Sequence, residues 1–171
     1  DESFDISVNL TNASLQWDGL VEAVENSVKT HGIFCSQLCL EITEQDAISS
    51  TEDVVHKIEE LKAHGHRFLI DDFGMGHTSL LYLQTGFFAV VKLDGSLTRN
   101  VLENETNAEI IGSITKLGES IHFTTIAEWV ESKEQLEKLK ALGCDVFQGA
   151  YYSRAIGYED LVEWLISYRD S

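Results

Sequence analysis

The sequence predicts an α/β protein whose parallel sheet, joined by helical crossovers, is either doubly wound or closed into a barrel. Short apolar runs rich in β-branched and aromatic residues alternate six times with longer segments of helical periodicity. No proline, linker or low-complexity stretch divides the 171 residues, so one domain over residues 1–171 is predicted. Strands that alternate with helices favour parallel pairing, because each return to the sheet needs a crossover.

Each predicted strand is followed by a segment with an apolar helical face. The strands are predicted at residues 4–10, 38–43, 67–71, 89–93, 124–127 and 145–147. The apolar helix positions are Leu20, Val21, Val24 and Val28; Val54, Ile58 and Leu61; Ile110, Ile111, Ile114 and Leu117; Leu136 and Leu139; and Leu161 and Leu165. Asp18 and Ser50 are predicted N-caps, and Ser132 with Gln135 predicts a capping box.

The length of the chain bears on the barrel alternative. Six units in 171 residues average about 28 residues each, whereas an eight-unit barrel typically needs about 250 residues. If the sheet is a barrel, we expect about two units to be missing. Because the first strand begins within a few residues of the N-terminus, these units are expected ahead of residue 1.

The composition excludes several classes of partner. The chain has 12 basic and 29 acidic residues and a net charge of −17, which argues against binding to a nucleic-acid polymer or an anionic membrane surface. No apolar run is long enough for a membrane span, and no signal peptide is recognised. Cys35, Cys39 and Cys144 cannot all pair with one another, so we expect reduced thiols that act as small core residues in a cytoplasmic protein.

Polar side chains cluster at the predicted carboxyl ends of the strands. In parallel α/β folds these ends surround one common mouth, where chemistry collects. Several of the acids interrupt apolar strands, where an unpaired buried charge would be costly, so a cation is expected to offset them. The residues are Asn9, Glu41, Glu44, Asp71, Asp72, Lys92, Asp94, Glu128, Glu131 and Gln148.

This cluster offers oxygen ligands, which suit Mg²⁺ or Mn²⁺ better than Zn²⁺. The adjacent acids Asp71 and Asp72 allow one carboxylate to bridge two metals about 3.5–4 Å apart, an arrangement that clamps a phosphoryl group during in-line displacement. Lys92 would then face a phosphate oxygen or the attacking water. Two structural alternatives stay open: the two aspartates cap the next helix, or Glu41 pairs with Lys92 in a buried salt bridge.

Other kinds of catalyst are disfavoured. The turn Gly74-Met75-Gly76-His77 beside the two aspartates is consistent with a mobile loop, but it is not a dinucleotide-binding fingerprint. The histidines form no convincing catalytic site, and His77 is the one that merits a test. Covalent hydrolysis is unlikely because the chain has no Gly-x-Ser-x-Gly motif and its cysteines lie within or beside apolar strands.

Six motifs, taken in order, resemble those of the EAL-domain family. They are Asn9; Glu41-Ile42-Thr43-Glu44; Asp71-Asp72-Phe73-Gly74-Met75-Gly76-His77-Thr78-Ser79-Leu80; Lys92-Leu93-Asp94; Ala127-Glu128-Trp129-Val130-Glu131; and Gln148-Gly149. The resemblance spans essentially the whole chain. It implies a modified (β/α)₈ barrel that is incomplete at its N-terminus, and a phosphodiesterase that uses two Mg²⁺ or Mn²⁺ ions to open cyclic di-GMP to linear pGpG.

The resemblance also implies a role for each site residue. One metal is expected on Asn9, Glu41 and Asp71, and the second on Asp71, Asp72 and Glu128. Lys92 is expected to hold or polarise the attacking water, and Gln148 to assist at the cluster of metals and water. Glu44 is expected to prop the glycine-containing loop, with a supporting role for Glu131.

The chain departs from the family pattern in four places, one of which is the glycine-containing loop at Met75, His77 and Thr78. The Glu-Ala-Leu motif, which lies upstream of Asn9 in the family and supplies a metal ligand, is absent, so we expect this chain by itself to hydrolyse slowly or not at all. Trp129 stands where the family usually has glycine, and Ala155 where proline is common.

Two other functions remain as alternatives. One is a degenerate EAL domain that binds cyclic di-GMP or a protein partner without hydrolysis, and the other is a different metal-dependent barrel phosphohydrolase. Additional sensory or regulatory domains are expected in the full protein, which an upstream region could anchor to a membrane. A homodimer through the open side of the barrel is a further expectation.

Overall fold

Strands and helices alternate through the part of the chain that the structure describes. The structure is a computed structural model that describes residues 4–48, 51–74, 83 and 86–169. The strands are β1 (Ile6–Asn9), β2 (Leu38–Thr43), β3 (Arg67–Phe73), β4 (Val90–Leu93), β5 (Thr124–Ala127) and β6 (Val146–Phe147). The helices are α1 (Asn12–Gln16), α2 (Leu20–His31), α3 (Glu44–Ile48), α4 (Glu52–Ala63), α5 (Gly95–Thr98), α6 (Glu105–Ile121), α7 (Lys133–Ala141) and α8 (Tyr158–Arg169). A short 3₁₀ helix, Cys35–Gln37, precedes β2. The predicted cap Ser50 and the predicted loop from Met75 to Leu80, with His77, lie outside the described residues.

The six strands form one parallel sheet in the order β1-β2-β3-β4-β5-β6. Spatial order follows chain order, which is the winding of a barrel, whereas a doubly wound sheet reverses at a switch point. Within the described residues β1 and β6 are the two edges of the sheet, so the barrel is incomplete. The predicted fold class is therefore confirmed, and the barrel alternative is the correct one.

The core lies between the central strands and the helices that cover them. Phe68, Ile70, Val91 and Leu93 are almost completely buried on β3 and β4. The predicted apolar faces of α4 and α7 are buried, and most of α6 follows the prediction. Ile110 is an exception at 40% exposed, since the helix turns it away from the sheet. The edge strand β1 is exposed along its length, because no further strand covers it within the described residues.

Several predicted boundaries are corrected by the structure. β3 continues two residues past its predicted end, through an irregularity in its pairing with β4 between Ile70 and Phe73. The N-cap of α2 is Gly19, so the prediction of Asp18 is wrong by one residue. Ser132 caps α7 by accepting a hydrogen bond from the Gln135 N–H, as predicted, although the Gln135 side chain does not return the bond.

The three cysteines form no disulfide, and two of them lie in the core. Cys39 and Cys144 are buried, Cys35 is half-buried, and all three are free. Burial raises the pKa of Cys144 to about 12, so its thiol is a poor nucleophile at neutral pH.

Among the described residues, each helix is too short or too polar to cross a bilayer.

Asp145 offers a test of how β5 is held beside β6. Its Oδ2 accepts hydrogen bonds from the backbone N–H of Thr125 at 2.7 Å and from the hydroxyl at 2.8 Å. Replacing Asp145 with Ala leaves these buried donors without that acceptor, so we expect the free energy of unfolding to fall by about 1–3 kcal/mol in urea denaturation. The control Glu109→Ala, at an exposed position of α6, should change it by less than about 0.5 kcal/mol. Equal effects of the two variants would contradict this role of Asp145.

Candidate functional site

A buried lysine lies at the centre of the carboxyl-terminal edge of the sheet. The Nζ of Lys92, on β4, is 2.6 Å from Glu128 Oε1, 3.0 Å from Asp71 Oδ1 and 3.3 Å from Glu41 Oε2. The Lys92 side chain is only 7% exposed. The three acids come from β2, from β3 and from the residue after β5, so parallel strands deliver one side chain each to the same place. We call Lys92, Glu41, Asp71, Asp72 and Glu128 the rim cluster.

The electrostatics of the rim cluster show an excess of negative charge. Burial disfavours the charged form of Lys92, but hydrogen bonds and attraction from Glu128 and Asp71 outweigh it, and the pKa of Lys92 lies above its ordinary value. Burial raises the pKa of Glu128, against the effect of Lys92. Burial also raises the pKa of Asp72, helped by the charges of Asp71 and Asp94. Three carboxylates thus contact a single ammonium group, and a fourth, that of Asp72, lies beside them.

Asp72 joins the rim cluster through an unusual backbone conformation. Its φ of 55° lies in the left-handed region, within the irregular stretch of β3. Its backbone N–H donates to Asp71 Oδ1 at 3.0 Å. One carboxylate oxygen each from Asp71, Asp72 and Glu128 lie within 4.8 Å of one another, which is close enough to hold a metal ion. The irregularity therefore lets two consecutive acids serve one site.

Glu44 contacts the first residue beyond β3. The side chain is buried at the start of α3, and its Oε2 accepts a hydrogen bond from the backbone N–H of Gly74 at 3.2 Å. Gly74 has a φ of 107°, a conformation that favours glycine. Oε1 of Glu44 has no partner among the described residues. Glu44 thus ties the end of β2 to the first residue beyond β3.

The remaining predicted residues lie around the rim cluster. Asn9 is exposed at the end of β1, in register with Glu41 on β2. Gln148 and Glu131 are exposed and line a cavity of about 550 Å³ that Glu128 also lines. Asp94 instead caps α5, because its Oδ1 accepts a hydrogen bond from the Ser96 N–H at 2.8 Å. The structure therefore brings Lys92 and four acids together, with Asn9 in register with Glu41 on the neighbouring strand and Gln148 in the cavity that Glu128 lines.

The sequence analysis missed the contacts that Trp129, Arg99 and Gln135 make near the site. Trp129 has a left-handed φ of 56°, and its ring lies 3.6 Å from the guanidinium carbon of Arg99. The buried Gln135 donates hydrogen bonds to the carbonyls of Trp129 and Thr98, and accepts one from the Glu131 N–H. Gln135 was recognised only as a helix-capping residue, since nothing in its spacing reveals a bond to the preceding loop.

Gly149 is required where the chain leaves β6. A Cβ atom at this position would lie 2.2 Å from the carbonyl oxygen of Val130, closer than real contacts allow. The Val130 N–H donates to the Gln148 carbonyl at 3.1 Å. The close approach of these two backbones holds Gln148 beside Glu128, and it gives a structural reason for glycine after Gln148.

The site as a whole is an oxygen-rich, negatively charged pocket at the carboxyl edge of a parallel sheet, and this arrangement is typical of enzymes that bind divalent metals. The chain matches the family model of the EAL domain over residues 1–155. It therefore belongs to the EAL domain family, as the motifs predicted.

Named relatives agree with this membership. The chain is 34% identical over 159 residues to the bifunctional diguanylate cyclase/cyclic di-GMP phosphodiesterase MucR of Pseudomonas aeruginosa, a match that covers 93% of this chain and 23% of that protein. A solved structure of the PaMucR phosphodiesterase in complex with c-di-GMP is 34% identical with a TM-score of 0.85, and covers 92% of this chain and 64% of that one. A manganese and cyclic di-GMP complex of Klebsiella pneumoniae BlrP1 is 28% identical with a TM-score of 0.83, over 88% of this chain and 38% of that one. The chain spans about a fifth to a quarter of the length of the curated relatives it matches.

Replacing Lys92 with Met tests whether the rim cluster depends on its single ammonium group. The change leaves three largely buried carboxylates without their cation, so in EDTA at pH 7 we expect the free energy of unfolding to fall by about 3–5 kcal/mol. The loss should shrink as the pH falls, because burial raises the pKa of Glu128 and this carboxylate is neutralised at a higher pH than an ordinary glutamate.

Lys138→Met on the exposed face of α7 is the control and should change stability little at pH 7 or below. If Lys92→Met were as stable as this control in EDTA, the charge balance described for the rim cluster would be wrong.

Proposed function

We propose that the EAL domain to which these residues belong hydrolyses cyclic di-GMP to linear pGpG with the help of two Mg²⁺ or Mn²⁺ ions. The observation that carries the proposal is the rim cluster itself, in which acids from three strands surround one buried lysine. Relatives that are named cyclic di-GMP phosphodiesterases, and a similar structure solved with manganese and cyclic di-GMP, support the choice of substrate and metal.

The residues present fit a divalent metal. Carboxylate oxygens of Asp71, Asp72 and Glu128 lie within 4.8 Å of one another, and all the donors are hard oxygen atoms. Burial raises the pKa of Asp72, and the negative charges of Asp71 and Asp94 raise it further, as is expected where carboxylates are grouped together. A purely structural salt bridge with Lys92 would need one acid, whereas three contact it and Asp72 lies beside them.

We assign the ligands in two groups that share Asp71. Asn9, Glu41 and Asp71 would hold one ion, and Asp71, Asp72 and Glu128 the other. The pairing of β1 with β2 supports the first group, since Asn9 lies opposite Glu41 on the neighbouring strand. When bound, the ions supply Lewis-acid stabilisation of the charge on the phosphoryl oxygens.

Lys92 has the properties needed to orient the attacking water. It is buried and remains charged, because its pKa is held above the ordinary value by Glu128 and Asp71 in spite of burial. Its ammonium group can donate hydrogen bonds to a water or to a phosphate oxygen, and the carboxylates fix its position. Gln148 would assist from the adjoining cavity, Glu44 would hold the loop at Gly74, and Glu131 would support the segment after β5.

The setting of the domain is a further part of the proposal. We propose that residues 1–171 form one part of an EAL barrel in a cytoplasmic region of a larger protein that carries sensory or regulatory domains. The exposed apolar residues Ile6 and Val8 on the edge strand are compatible with a homodimer.

The Asp71→Asn variant tests the two-metal site most simply. In a protein that carries this chain, it should abolish formation of pGpG from cyclic di-GMP, because the shared ligand loses its negative charge. Without metal, the variant should be as stable as the wild type or more stable, since Lys92 keeps Glu41 and Glu128 while repulsion among the acids falls.

Melting curves with and without Mn²⁺ complete this test. A ligand at about 100 times its Kd stabilises the native state by about 2.7 kcal/mol, and this increment should be lost or greatly reduced in the variant. Asp160→Asn, at an exposed position of α8, is the control that should keep the full shift. A variant that melts earlier without metal, yet keeps the Mn²⁺ shift and turnover, would refute the two-metal assignment.

Binding of cyclic di-GMP without hydrolysis by the wild type would favour the degenerate domain instead.

Calcium should inhibit turnover. Ca²⁺ prefers bonds of about 2.3–2.6 Å and a looser geometry than Mg²⁺, so it would misplace the reacting groups. We therefore expect pGpG production with Mg²⁺ or Mn²⁺ to fall when Ca²⁺ is added in excess. Turnover with Ca²⁺ alone that equals turnover with Mg²⁺ would count against the proposed site.

A further inference from the structure

A second group of ionisable side chains lies at the opposite, amino-terminal edge of the sheet. It contains Glu25 from α2, Cys35 from the 3₁₀ helix before β2, and His64 and His66 from the turn between α4 and β3. We call these four residues the lower cluster. Because His66 precedes β3 and Asp71 lies five residues further on, the two clusters are separated by about 16 Å along the strand.

The side chains of the lower cluster converge on one carboxylate. Glu25 Oε1 is 2.8 Å from His66 Nε2 and 3.2 Å from His64 Nδ1. One ligand atom each of Glu25, Cys35 and His66 lie within 4.8 Å of one another. Ligand atoms in a tetrahedral zinc site are roughly 3.3–3.7 Å apart, so the atoms of Glu25, Cys35 and His66 would approach one another by about 1 Å at most, and His64 would turn toward them from its contact with Glu25.

His66 is the buried member of the lower cluster. Its side chain is 0% exposed, and Nε2 is the ring nitrogen that faces Glu25. The two ring nitrogens point to different sides of the imidazole, so Nε2 is the atom that would bind a cation shared with Glu25.

We propose that the lower cluster is a zinc site formed by Glu25, Cys35 and His66, with His64 as the fourth ligand. The donor set of one thiolate, one carboxylate and two imidazoles suits Zn²⁺, whereas Mg²⁺ and Mn²⁺ prefer oxygen. The two negative ligands balance the charge of one divalent ion. The half-exposed side chains of Glu25 and His64 leave a path by which the ion enters.

Zinc at this position would be structural. The four ligands come from three segments that are distant in sequence, so one ion joins α2, the start of β2 and the start of β3. Residues at the amino-terminal face of such barrels generally serve stability, whereas chemistry is performed at the carboxyl face. The proposal is therefore independent of the rim cluster and of catalysis there.

Metal binding to the chain after dialysis against EDTA tests the zinc site directly. We expect about one Zn²⁺ per chain in the Asp71→Asn variant, whose rim cluster is disabled, together with an increase in melting temperature. In the same variant Co²⁺ should give a thiolate-to-cobalt charge-transfer band in the near ultraviolet and the intense visible bands of tetrahedral coordination. Co²⁺ bound without the thiolate band would overturn the proposal.

Matched variants identify the ligands. Cys35→Ala and His64→Asn should each weaken Zn²⁺ binding at least about a hundredfold and reduce the thermal shift. His56→Gln, an exposed histidine on α4 outside the lower cluster, should bind Zn²⁺ as the parent does. Equal zinc affinity in Cys35→Ala and His56→Gln, or no Zn²⁺ binding by the parent chain at micromolar concentrations, would overturn the proposal. If a variant does not fold, the cobalt spectrum of the parent chain still decides.

Discussion

The buried ammonium group of Lys92 is the constraint on which the carboxyl edge of this sheet depends. It contacts acids delivered by β2 and β3 and by the end of β5, at 2.6 to 3.3 Å, so these elements must keep their relative register for the charges to be balanced. The balance is incomplete, because three carboxylates contact one cation and Asp72 adds a fourth carboxylate beside them. The ion pairs of Lys92 hold the buried acids in place, but the rim cluster keeps a net negative charge. A site that binds a divalent metal needs such an excess of negative charge.

Much of this arrangement is predictable from the sequence, for physical reasons. Glu41, Asp71 and Lys92 interrupt apolar strands, and the parallel connection of those strands puts their ends at one edge. Both functional and structural interpretations of Lys92 were open, and the structure shows the salt bridge with Glu41 as part of a larger cluster. The choice between a doubly wound sheet and a barrel depended on strand order, which hydrophobic periodicity does not encode.

Features that depend on backbone detail were not predictable. The irregularity in β3 and the left-handed conformation of Asp72 have no signature in the residue pattern, since aspartate is compatible with an ordinary strand end. The hydrogen bonds of Gln135 connect residues on different elements, and so does the convergence of Glu25, Cys35 and His66. Such sites are formed by tertiary packing, and a search for ligand spacing along the chain does not find them.

The central claim, that the rim cluster is a two-metal site, is tested most directly by anomalous diffraction from crystals of the protein soaked with Mn²⁺. Two manganese peaks are predicted at the rim, with Asp71 bound to both and with the contact between Lys92 and Asp71 lengthened. No manganese at the rim under saturating conditions, with all three contacts of Lys92 unchanged, would show that the cluster is a structural salt bridge and would contradict the account.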